Sequence, residues 1–245
     1  MGFEDKVALV TGGAGGIGGD LSRALAREGA RVGLTDVDES RAKEIAGELG
    51  TLGLGMDVSS EDSVSAVVDQ ITTELGPIDM LFNVAGITGG HWRISDIPLE
   101  VFDKVLATNM RGMLVTTQIV VKQMIADSHP GVIVNVGSSG GFRPGGELFH
   151  YCISKAAVHG FTQAAAKEFA QYGIRVNAVA PGPVYTPMSA ASMDDPTMRA
   201  AWESRIPLHR IADTTDVVDL MLFLASDKAK NMTGAIVSTD GGSTA

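Results

Sequence analysis

Short apolar runs of strand length alternate along the chain with longer segments whose apolar residues recur at helical spacing. The predicted strands cover residues 6–10, 31–35, 51–56, 79–83, 131–136, 174–179 and 235–238. The first predicted helix runs from the glycine-rich turn to residue 29, and the third runs from 59 or 60 to 75. The other predicted helices cover 41–49, 99–126, 151–172 and 214–224. Strands separated by helices favour a parallel sheet covered on both faces. We therefore predict a single doubly wound α/β domain over residues 1–245, with about seven strands.

A glycine-rich turn joins the first strand to the first helix. Thr11 is followed by Gly12, Gly16 and Gly18 in the pattern T-G-x-x-x-G-x-G, and the second strand ends at Asp36. Gly12 allows a tight turn, while Gly16 and Gly18 let backbone approach a pyrophosphate and let the helix pack closely on the sheet. A carboxylate at position 36 accepts a hydrogen bond from a ribose 2′-hydroxyl and repels a 2′-phosphate. The stretch predicts a Rossmann-type dinucleotide site.

Ligands of such sheets bind outside the carboxyl ends of the strands, so the residues that follow each strand are the first candidates for a site. The stretch 181–210 reads as irregular or only partly helical, and it is the one segment long enough to form a lid. We expect the substrate lid over about residues 183–210.

Tyr151 and Lys155 open the predicted helix at 151–172, and residues four apart share one helical face. A neighbouring cation stabilises a phenolate, so the pair predicts a tyrosine of lowered pKa that exchanges a proton with an alcohol or ketone. The same spacing also occurs in surface pairs on ordinary amphipathic helices.

Two further polar residues fall near this pair in the predicted fold. Ser138 ends the fifth strand, where its hydroxyl can bind a substrate oxygen, although Ser138 or Ser139 can equally be a turn or capping residue. Asn109 lies inside the long predicted helix, where asparagine is a poor helix former. It indicates a helix irregularity or a water site, or simply an exposed polar face.

These motifs together resemble the short-chain dehydrogenase/reductase family, in the same order and at similar spacing over almost the whole chain. The matching positions are Thr11–Gly18, Asn83–Gly86, Asn109, Ser138, Tyr151, Ser154, Lys155, Asn177, Pro181 and Gly182. The resemblance implies that Tyr151 is the acid/base and that Lys155 lowers its pKa and holds the nicotinamide ribose. It further implies that Ser138 positions the substrate oxygen, and that Asn109 holds a helix distortion and a water of a proton relay.

The resemblance also implies a cofactor-binding set. Its members are Gly12, Gly16, Ile17, Gly18, Asp36, Asp57, Val58, Asn83, Ala85, Gly86, Tyr151, Lys155, Pro181, Gly182, Val184 and Thr186. Within it, Asp57 and Val58 are expected to contact adenine, Asn83 to stabilise the central strands, and Val184 and Thr186 to contact the carboxamide. Val84 departs from the family pattern, which often has a second asparagine there.

Asp36 and the absence of a basic residue nearby predict NAD(H) as the cofactor. Relatives that prefer the phosphorylated form usually carry a basic residue in the glycine turn or after the second strand. In this chain those positions hold Gly13, Ala14, Gly15 and Val37.

The net charge and the cysteine content indicate which partners and which cellular compartment to expect. The formal net charge of −10 argues against nucleic acid and anionic membranes, and no stretch approaches a membrane span. The single cysteine, Cys152, fits a reducing cytoplasm, where we expect the protein. No His or Cys cluster has metal-ligand spacing, so we expect no metal.

Candidate substrate contacts lie in the loops: Trp92, Arg143, His150 and Met188. Trp92 can equally pack in the core, and Arg143 can be a solvated rim charge. We expect a small secondary alcohol or ketone, cyclic, polyol or sugar-like, as substrate. Reduction of a 3-oxoacyl thioester is the alternative, and a non-catalytic NAD-binding regulatory or scaffold protein is the alternative of another class.

The two long predicted helices are rich in small residues that allow close approach of another helix. Ala156, Ala157 and Gly160 are examples. The resemblance implies that such helices pair subunits, so we expect a homo-oligomer, a tetramer.

Enoyl reduction is disfavoured as the activity, because the relatives that reduce enoyl groups place the tyrosine and the lysine farther apart.

Overall fold

A computed structural model describes residues 2–245 and places seven parallel strands in one sheet of order β3-β2-β1-β4-β5-β6-β7. The strands are β1 Val7–Thr11, β2 Arg31–Asp36, β3 Leu52–Gly55, β4 Met80–Asn83, β5 Val132–Val136, β6 Arg175–Pro181 and β7 Ile236–Thr239. The chain reverses its direction of travel across the sheet between β3 and β4, beside β1. This is the switch point at which doubly wound sheets bind ligands, and the predicted fold class is confirmed.

Nine α-helices cover the two faces of the sheet or lie beyond its carboxyl edge within residues 2–245. They are α1 Gly16–Arg27, α2 Glu39–Leu49, α3 Glu61–Leu75, α4 Leu99–Leu106, α5 Met113–Ala126, α6 Phe149–Phe169, α7 Ala190–Met193, α8 Pro196–Glu203 and α9 Thr214–Ala225. Side chains of α1, α2 and α9 form a core on one face, and those of α3, α5 and α6 form a second core on the other. Strand β1 contributes side chains to both cores, since Ala8 and Val10 point to the first and Val7 and Leu9 to the second.

The predicted helix over residues 99–126 is interrupted in the middle by a π-helical segment, Ala107–Gly112. It joins α4 to α5 without a break in helical backbone conformation. The wider turn contains Asn109, which confirms the helix irregularity expected there. Gly112 is packed so tightly on Val58 that a Cβ added to it would lie 2.7 Å from a Val58 methyl carbon.

The predicted lid contains two short helices, α7 and α8, within otherwise irregular chain. Val184 and Ala212 form an isolated parallel bridge that closes the segment at its base. Met193, Ile206 and Ile211 make a small separate core, against which Trp202 packs. The expectation of a partly helical segment is therefore confirmed.

Most predicted boundaries agree with the structure to within about two residues. Helix α6 begins at Phe149 rather than at residue 151, so Tyr151 lies inside its first turn. Ser60 caps α3 by accepting a hydrogen bond from the Ser63 N–H at 3.3 Å, one of the two serines predicted for that role. Two 3₁₀ turns, Ser139–Gly141 and Gly146–Leu148, lie between β5 and α6 and were not predicted.

Candidate active site

The glycine turn after β1 is packed so closely that Gly12 and Gly18 have no room for a side chain. Gly12 has a φ of +65°, and a Cβ there would lie 2.8 Å from the Ala85 Cα. A Cβ at Gly18 would lie 2.2 Å from the Gly12 carbonyl oxygen. The turn therefore tolerates only glycine at both positions, which fixes the start of α1 against the end of β4.

Asp36 and the start of α1 present groups that suit a dinucleotide. The N-cap Gly15 provides no side-chain acceptor for the first N–H groups of α1, so that helix end remains open to an anion. Asp36 accepts hydrogen bonds from the N–H groups of Ala14 (3.0 Å) and Asp38 (3.1 Å), which hold its carboxylate at the end of β2. The open helix end and the held carboxylate are the chemistry that pyrophosphate and a ribose diol require, so these residues fit the cofactor.

Tyr151, Lys155 and Ser138 come together at the carboxyl edge of β5. The Ser138 hydroxyl lies near enough to the Tyr151 phenol to lower its pKa. The Lys155 Nζ lies 5.6 Å from the centroid of the Tyr151 ring and donates to the Val136 carbonyl oxygen at 2.8 Å. The structure thus places the three predicted catalytic side chains in one cluster.

The protonation of this cluster depends on its burial. Burial raises the pKa of the Tyr151 phenol above its usual value, and the nearby Ser138 hydroxyl only partly opposes this. Burial also lowers the pKa of the Lys155 ammonium to about 8. In the protein without cofactor the pKa of the phenol is therefore raised, because loss of solvation is the largest effect. The predicted lowering depends also on the positive charge of a bound oxidised nicotinamide and stays a prediction.

Asn109 connects the π-helical segment to the loop after β4 and to α6. Its Oδ1 accepts from the Ile87 N–H at 2.8 Å, and its Nδ2 donates to the Ile87 carbonyl oxygen (2.9 Å) and the Ser154 hydroxyl (3.0 Å). Gly86 packs beside it, since a Cβ there would lie 3.3 Å from the Asn109 Oδ1 and 3.5 Å from the Lys155 Nζ. Asn109 thus makes three of the four hydrogen bonds that its amide can make, and its place beside a relay water stays a prediction.

Three of the predicted cofactor residues have side chains that point into the protein. Asn83 is buried and donates to Thr117 Oγ1 (3.1 Å) and Asn135 Oδ1 (2.8 Å), which ties β4 to β5 and α5. Val58 and Val184 are buried in the two cores. Any contact of Val58 and Val184 with a cofactor would therefore be made by their backbone and stays a prediction, while the role of Asn83 in stabilising the central strands agrees with the structure.

The remaining predicted cofactor residues lie along the carboxyl edge. Asp57 is exposed and accepts from Ser59, and Thr186 lies at the base of the lid. A Cβ at Gly16 would meet Thr186 and Pro187 at 3.1 Å, so the start of the predicted lid segment packs against the glycine turn. The others at this edge are Ile17, Ala85, Gly86, Pro181 and Gly182.

The four predicted substrate residues are not equivalent in the structure. His150 is completely buried, and neither ring nitrogen has a hydrogen-bond partner, so its contact with substrate stays a prediction. Arg143 is exposed but donates to the Ala245 backbone oxygen at 3.2 Å. Trp92 donates from Nε1 to the Gly89 carbonyl (2.9 Å) and so braces the loop after β4. Met188 remains exposed on the lid.

Sequence reasoning missed residues that support the catalytic cluster. The Thr11 hydroxyl accepts from the N–H groups of Val84 (3.0 Å) and Ala85 (3.1 Å), joining β1 to the end of β4. His159 lies one helical turn beyond Lys155 and contacts the loop that carries Ser138. The spacing of four between Lys155 and His159 was the available signal, since it puts both on one face of α6.

Known proteins resemble this chain over nearly its whole length. A family model described as "Enoyl-(Acyl carrier protein) reductase" matches residues 12–244. Levodione reductase from Leifsonia aquatica is 37% identical over 99% of this chain and 96% of its own length. Cis-4-hydroxycyclohexanecarboxylate dehydrogenase from Sinomonas cyclohexanicum is 38% identical over 99% of this chain and 98% of its own.

Solved structures agree with these matches. The crystal structure of levodione reductase superposes with a TM-score of 0.94, at 34% identity over 99% of this chain and 98% of that one. A 3-ketoacyl-(acyl-carrier-protein) reductase from Brucella melitensis, solved with NADH, gives 0.93 at 33% identity over 99% and 100%.

Fold, catalytic cluster and glycine turn define a nicotinamide-dependent oxidoreductase. The chain belongs to the short-chain dehydrogenase/reductase family, and it acts as an alcohol dehydrogenase or ketone reductase. Within residues 2–245 no group of His, Cys, Asp and Glu side chains is arranged to hold a metal, and no helix is long and apolar enough to cross a membrane.

Proposed function

We propose that the protein is an NAD(H)-dependent oxidoreductase of small secondary alcohols and ketones, cyclic or sugar-like, with Tyr151 as its acid/base. The observation that carries the proposal is the meeting of Ser138, Tyr151 and Lys155 at the carboxyl edge of the sheet, next to the glycine turn. Residues 1–245 form one catalytic domain in this proposal, with the lid over about 183–210.

The chain's own residues handle the proton in this reaction. In ketone reduction the substrate oxygen is held by the Ser138 hydroxyl and receives the Tyr151 phenolic proton as its carbon becomes an alcohol carbon. In alcohol oxidation the same proton moves back to the tyrosine. When bound, the cofactor supplies the hydride or takes it up, and its oxidised ring brings a positive charge. Raised as it is by burial, the pKa of Tyr151 keeps the phenol protonated at neutral pH, which suits reduction.

Lys155 and Asn109 support the tyrosine from the protein side. With a pKa of about 8, Lys155 remains mostly protonated at neutral pH and stabilises a phenolate whenever one forms. Its place beside Asn109 and Gly86 suits a relay that returns the proton from solvent. Lys155 also suits a contact with the nicotinamide ribose.

Asp36 supports NAD(H) over NADP(H). Its carboxylate lies at the end of β2, and the residue after it, Val37, is 78% exposed and uncharged. No cation among residues 12–19 or at position 37 could neutralise a 2′-phosphate. The resemblance to a Brucella reductase solved with NADH agrees with this assignment.

A cyclic substrate is supported by the relatives. One of them is named for a substrate that contains a hydroxycyclohexane ring. The alternative, reduction of a 3-oxoacyl thioester, is favoured by the likeness to the Brucella 3-ketoacyl reductase. That protein was solved with NADH, so an NAD preference does not by itself exclude this activity.

A panel assay decides between these functions. The protein is mixed with NADH and with cyclic ketones, open-chain ketones, keto sugars and a 3-oxoacyl thioester, and the absorbance of the reduced cofactor is followed. We expect cyclic ketones to give a kcat/KM at least roughly tenfold above that of the thioester. The reverse order would support the alternative, and NADH binding without turnover of any substrate would support a non-catalytic NAD-binding protein.

The proposal also includes a homotetramer in the cytoplasm. An exposed stripe of small and apolar residues on α6 supports the assembly: Ile153, Ala156, Gly160 and Ala164. The single cysteine, which is buried and unpaired, supports a reducing compartment.

A further inference from the structure

His159 lies directly beneath the loop that carries Ser138. The imidazole is 7% exposed and lies on α6, one turn beyond Lys155. Its Nε2 accepts a long hydrogen bond of 3.5 Å from the Ser138 backbone N–H.

The loop after β5 is shaped around this ring. A Cβ at Gly137 would lie 2.4 Å from the His159 Nε2, and one at Gly141 would lie 2.6 Å from its Cε1. Phe142 covers the ring, with centroids 4.4 Å apart at an interplanar angle of 38°. Both glycines therefore leave space for the imidazole, and any shift of the ring moves the backbone on either side of Ser138.

We propose that His159 is a positioning residue, which holds the Ser138 loop from below and so keeps the Ser138 hydroxyl against Tyr151. This inference rests on the proposed function, since it assigns a support to the same catalytic cluster. The loop is also stabilised by its own hydrogen bonds, because the Gly140 N–H donates to the Ser138 Oγ at 3.1 Å and the Gly141 N–H donates to the Ser138 carbonyl oxygen at 2.9 Å. His159 fixes where this self-bonded turn lies on the helix.

The contact requires a neutral imidazole. An N–H of Ser138 can bond Nε2 only when that nitrogen carries no proton, which assigns the remaining proton to Nδ1. Burial, and after it the charge of Lys155, lower the pKa of His159 below its usual 6.5, so the accepting form persists at neutral pH. At lower pH the imidazole of His159 is protonated on both nitrogens, so its Nε2–H and the Ser138 N–H are two donors facing each other. The hydrogen bond is then lost, and His159 holds the Ser138 loop less firmly.

Few other ionisable groups face the ring. Lys155 is on the same helix, and the Cys152 thiol lies on the far side of Gly140, whose added Cβ would be 3.0 Å from it. The facing turn contributes Ser138, Ser139, Gly140, Gly141 and Phe142, none of which titrates near neutral pH. On β6 the adjacent group is the Val179 backbone carbonyl. If the fall in kcat at acid pH depends on the residue at position 159, it therefore reports protonation of the imidazole itself.

Two substitutions separate the acceptor from the ring. His159→Phe keeps an aromatic ring beside Phe142 but removes the acceptor. His159→Gln keeps an oxygen acceptor at the same distance along the side chain and cannot titrate. His129→Gln is the matched control, because His129 pairs with Asp79 at 3.2 Å at the opposite edge of the sheet.

The readouts are kcat and KM for the ketone that the wild type reduces, from pH 5 to 8, with NADH affinity and Tm measured alongside. We expect His159→Phe to lower kcat roughly tenfold at pH 7 with unchanged NADH affinity, and His159→Gln to recover kcat to within about threefold. Wild-type kcat should fall toward acid pH with an inflection below the 6.5 of an ordinary imidazole, while the His159→Gln profile should lack this inflection. His129→Gln should retain the wild-type profile.

Wild-type kcat in His159→Phe, or the same acid inflection in His159→Gln, would overturn the inference. If His159→Phe does not fold, the pH profile of His159→Gln decides alone. A wild-type protein that reduces no ketone would instead overturn the proposed function, so the two failures are distinguishable.

Discussion

Lys155 lies over the ring of Tyr151, with 5.6 Å between its Nζ and the ring centroid, and donates its hydrogen bond to a neutral backbone carbonyl. Within residues 2–245 no carboxylate pairs with this ammonium, which is only 4% exposed. The cation is thus held in a low-dielectric site with the phenol as its nearest polarisable partner. Such an arrangement is costly for folding, and it suits a group that must stabilise a transient phenolate.

The cost should be measurable as a pH dependence of stability. The pKa of Lys155 is about 8 in the folded protein and 10.5 when unfolded. Between these values the unfolded chain binds more protons, so the free energy of unfolding rises with pH, and the full penalty applies below pH 8. Between pH 7 and pH 9.5 the free energy of unfolding of the wild type should rise by about 2 kcal/mol more than that of Lys155→Met. Urea unfolding of both proteins at the two pH values measures this, and parallel pH dependences would contradict it.

Asp36 should determine the choice between the two nicotinamide cofactors. Replacing it with alanine removes the repulsion of a 2′-phosphate and the acceptor for a ribose hydroxyl. We expect the NAD-over-NADP ratio of kcat/KM to fall by roughly 10- to 100-fold in Asp36→Ala.

The control for this change is Asp38→Asn. Asp38 caps α2 by accepting from the Arg41 N–H at 3.0 Å, and asparagine can keep that bond while losing a nearby negative charge. The control should keep the wild-type ratio. Equal shifts in both variants would assign the preference to general charge, and a wild type equally active with NADP would contradict the NAD assignment.

Asn109 should be needed for both stability and turnover. Its replacement by alanine removes three hydrogen bonds and leaves the Ile87 N–H and carbonyl without these partners. We expect a loss of about 2 kcal/mol in the free energy of unfolding and a roughly tenfold lower kcat. Gln123→Ala is the comparison, because Gln123 also bridges helices through Asp69 and Thr72 but lies far from the cluster. Unchanged kcat in Asn109→Ala would rule out its part in the reaction.

The outer face of α6 should form a subunit interface. A Cβ added at Gly160 meets no atom within 4 Å, so Gly160→Arg is compatible with the folded chain and blocks only a neighbour. Light scattering should give four times the 25.5 kDa chain mass for the wild type and a smaller, folded species for the variant. Gly47 on α2 is equally open, and Gly47→Arg should remain tetrameric. A wild-type monomer would contradict the assembly.

Much of this fold could be predicted because its signals are local. Val7 to Val10 is a continuous apolar run, as a parallel strand buried on both faces requires, and Gly12 and Gly18 are demanded by backbone approach. The catalytic residues could be proposed because Tyr151 and Lys155 are neighbours on one helix. Asn109 was visible as a polar residue that does not suit a helix interior.

What escaped prediction depends on contacts between distant parts of the chain. The burial of His150 depends on the loop at Gly89, whose added Cβ would meet the His150 Nε2 at 3.2 Å. The pKa of Tyr151 depends on how completely water is excluded, which spacing does not reveal. Val58 follows β3 and Asn83 ends β4, where ligand contacts are expected, yet their side chains turn inward because the helices α3 and α5 cover them.

The most direct test of the account is the replacement of Tyr151 by phenylalanine. The change removes only the phenolic oxygen, so NADH affinity and Tm should stay near the wild-type values. We expect the rate of NADH-dependent ketone reduction to fall by roughly 10²- to 10⁴-fold in a single-turnover experiment, since the proton donor is lost. Tyr172→Phe, in the exposed turn that follows α6, should reduce the ketone at the wild-type rate. A Tyr151→Phe enzyme that reduces the ketone within a few-fold of the wild-type rate would contradict the central claim.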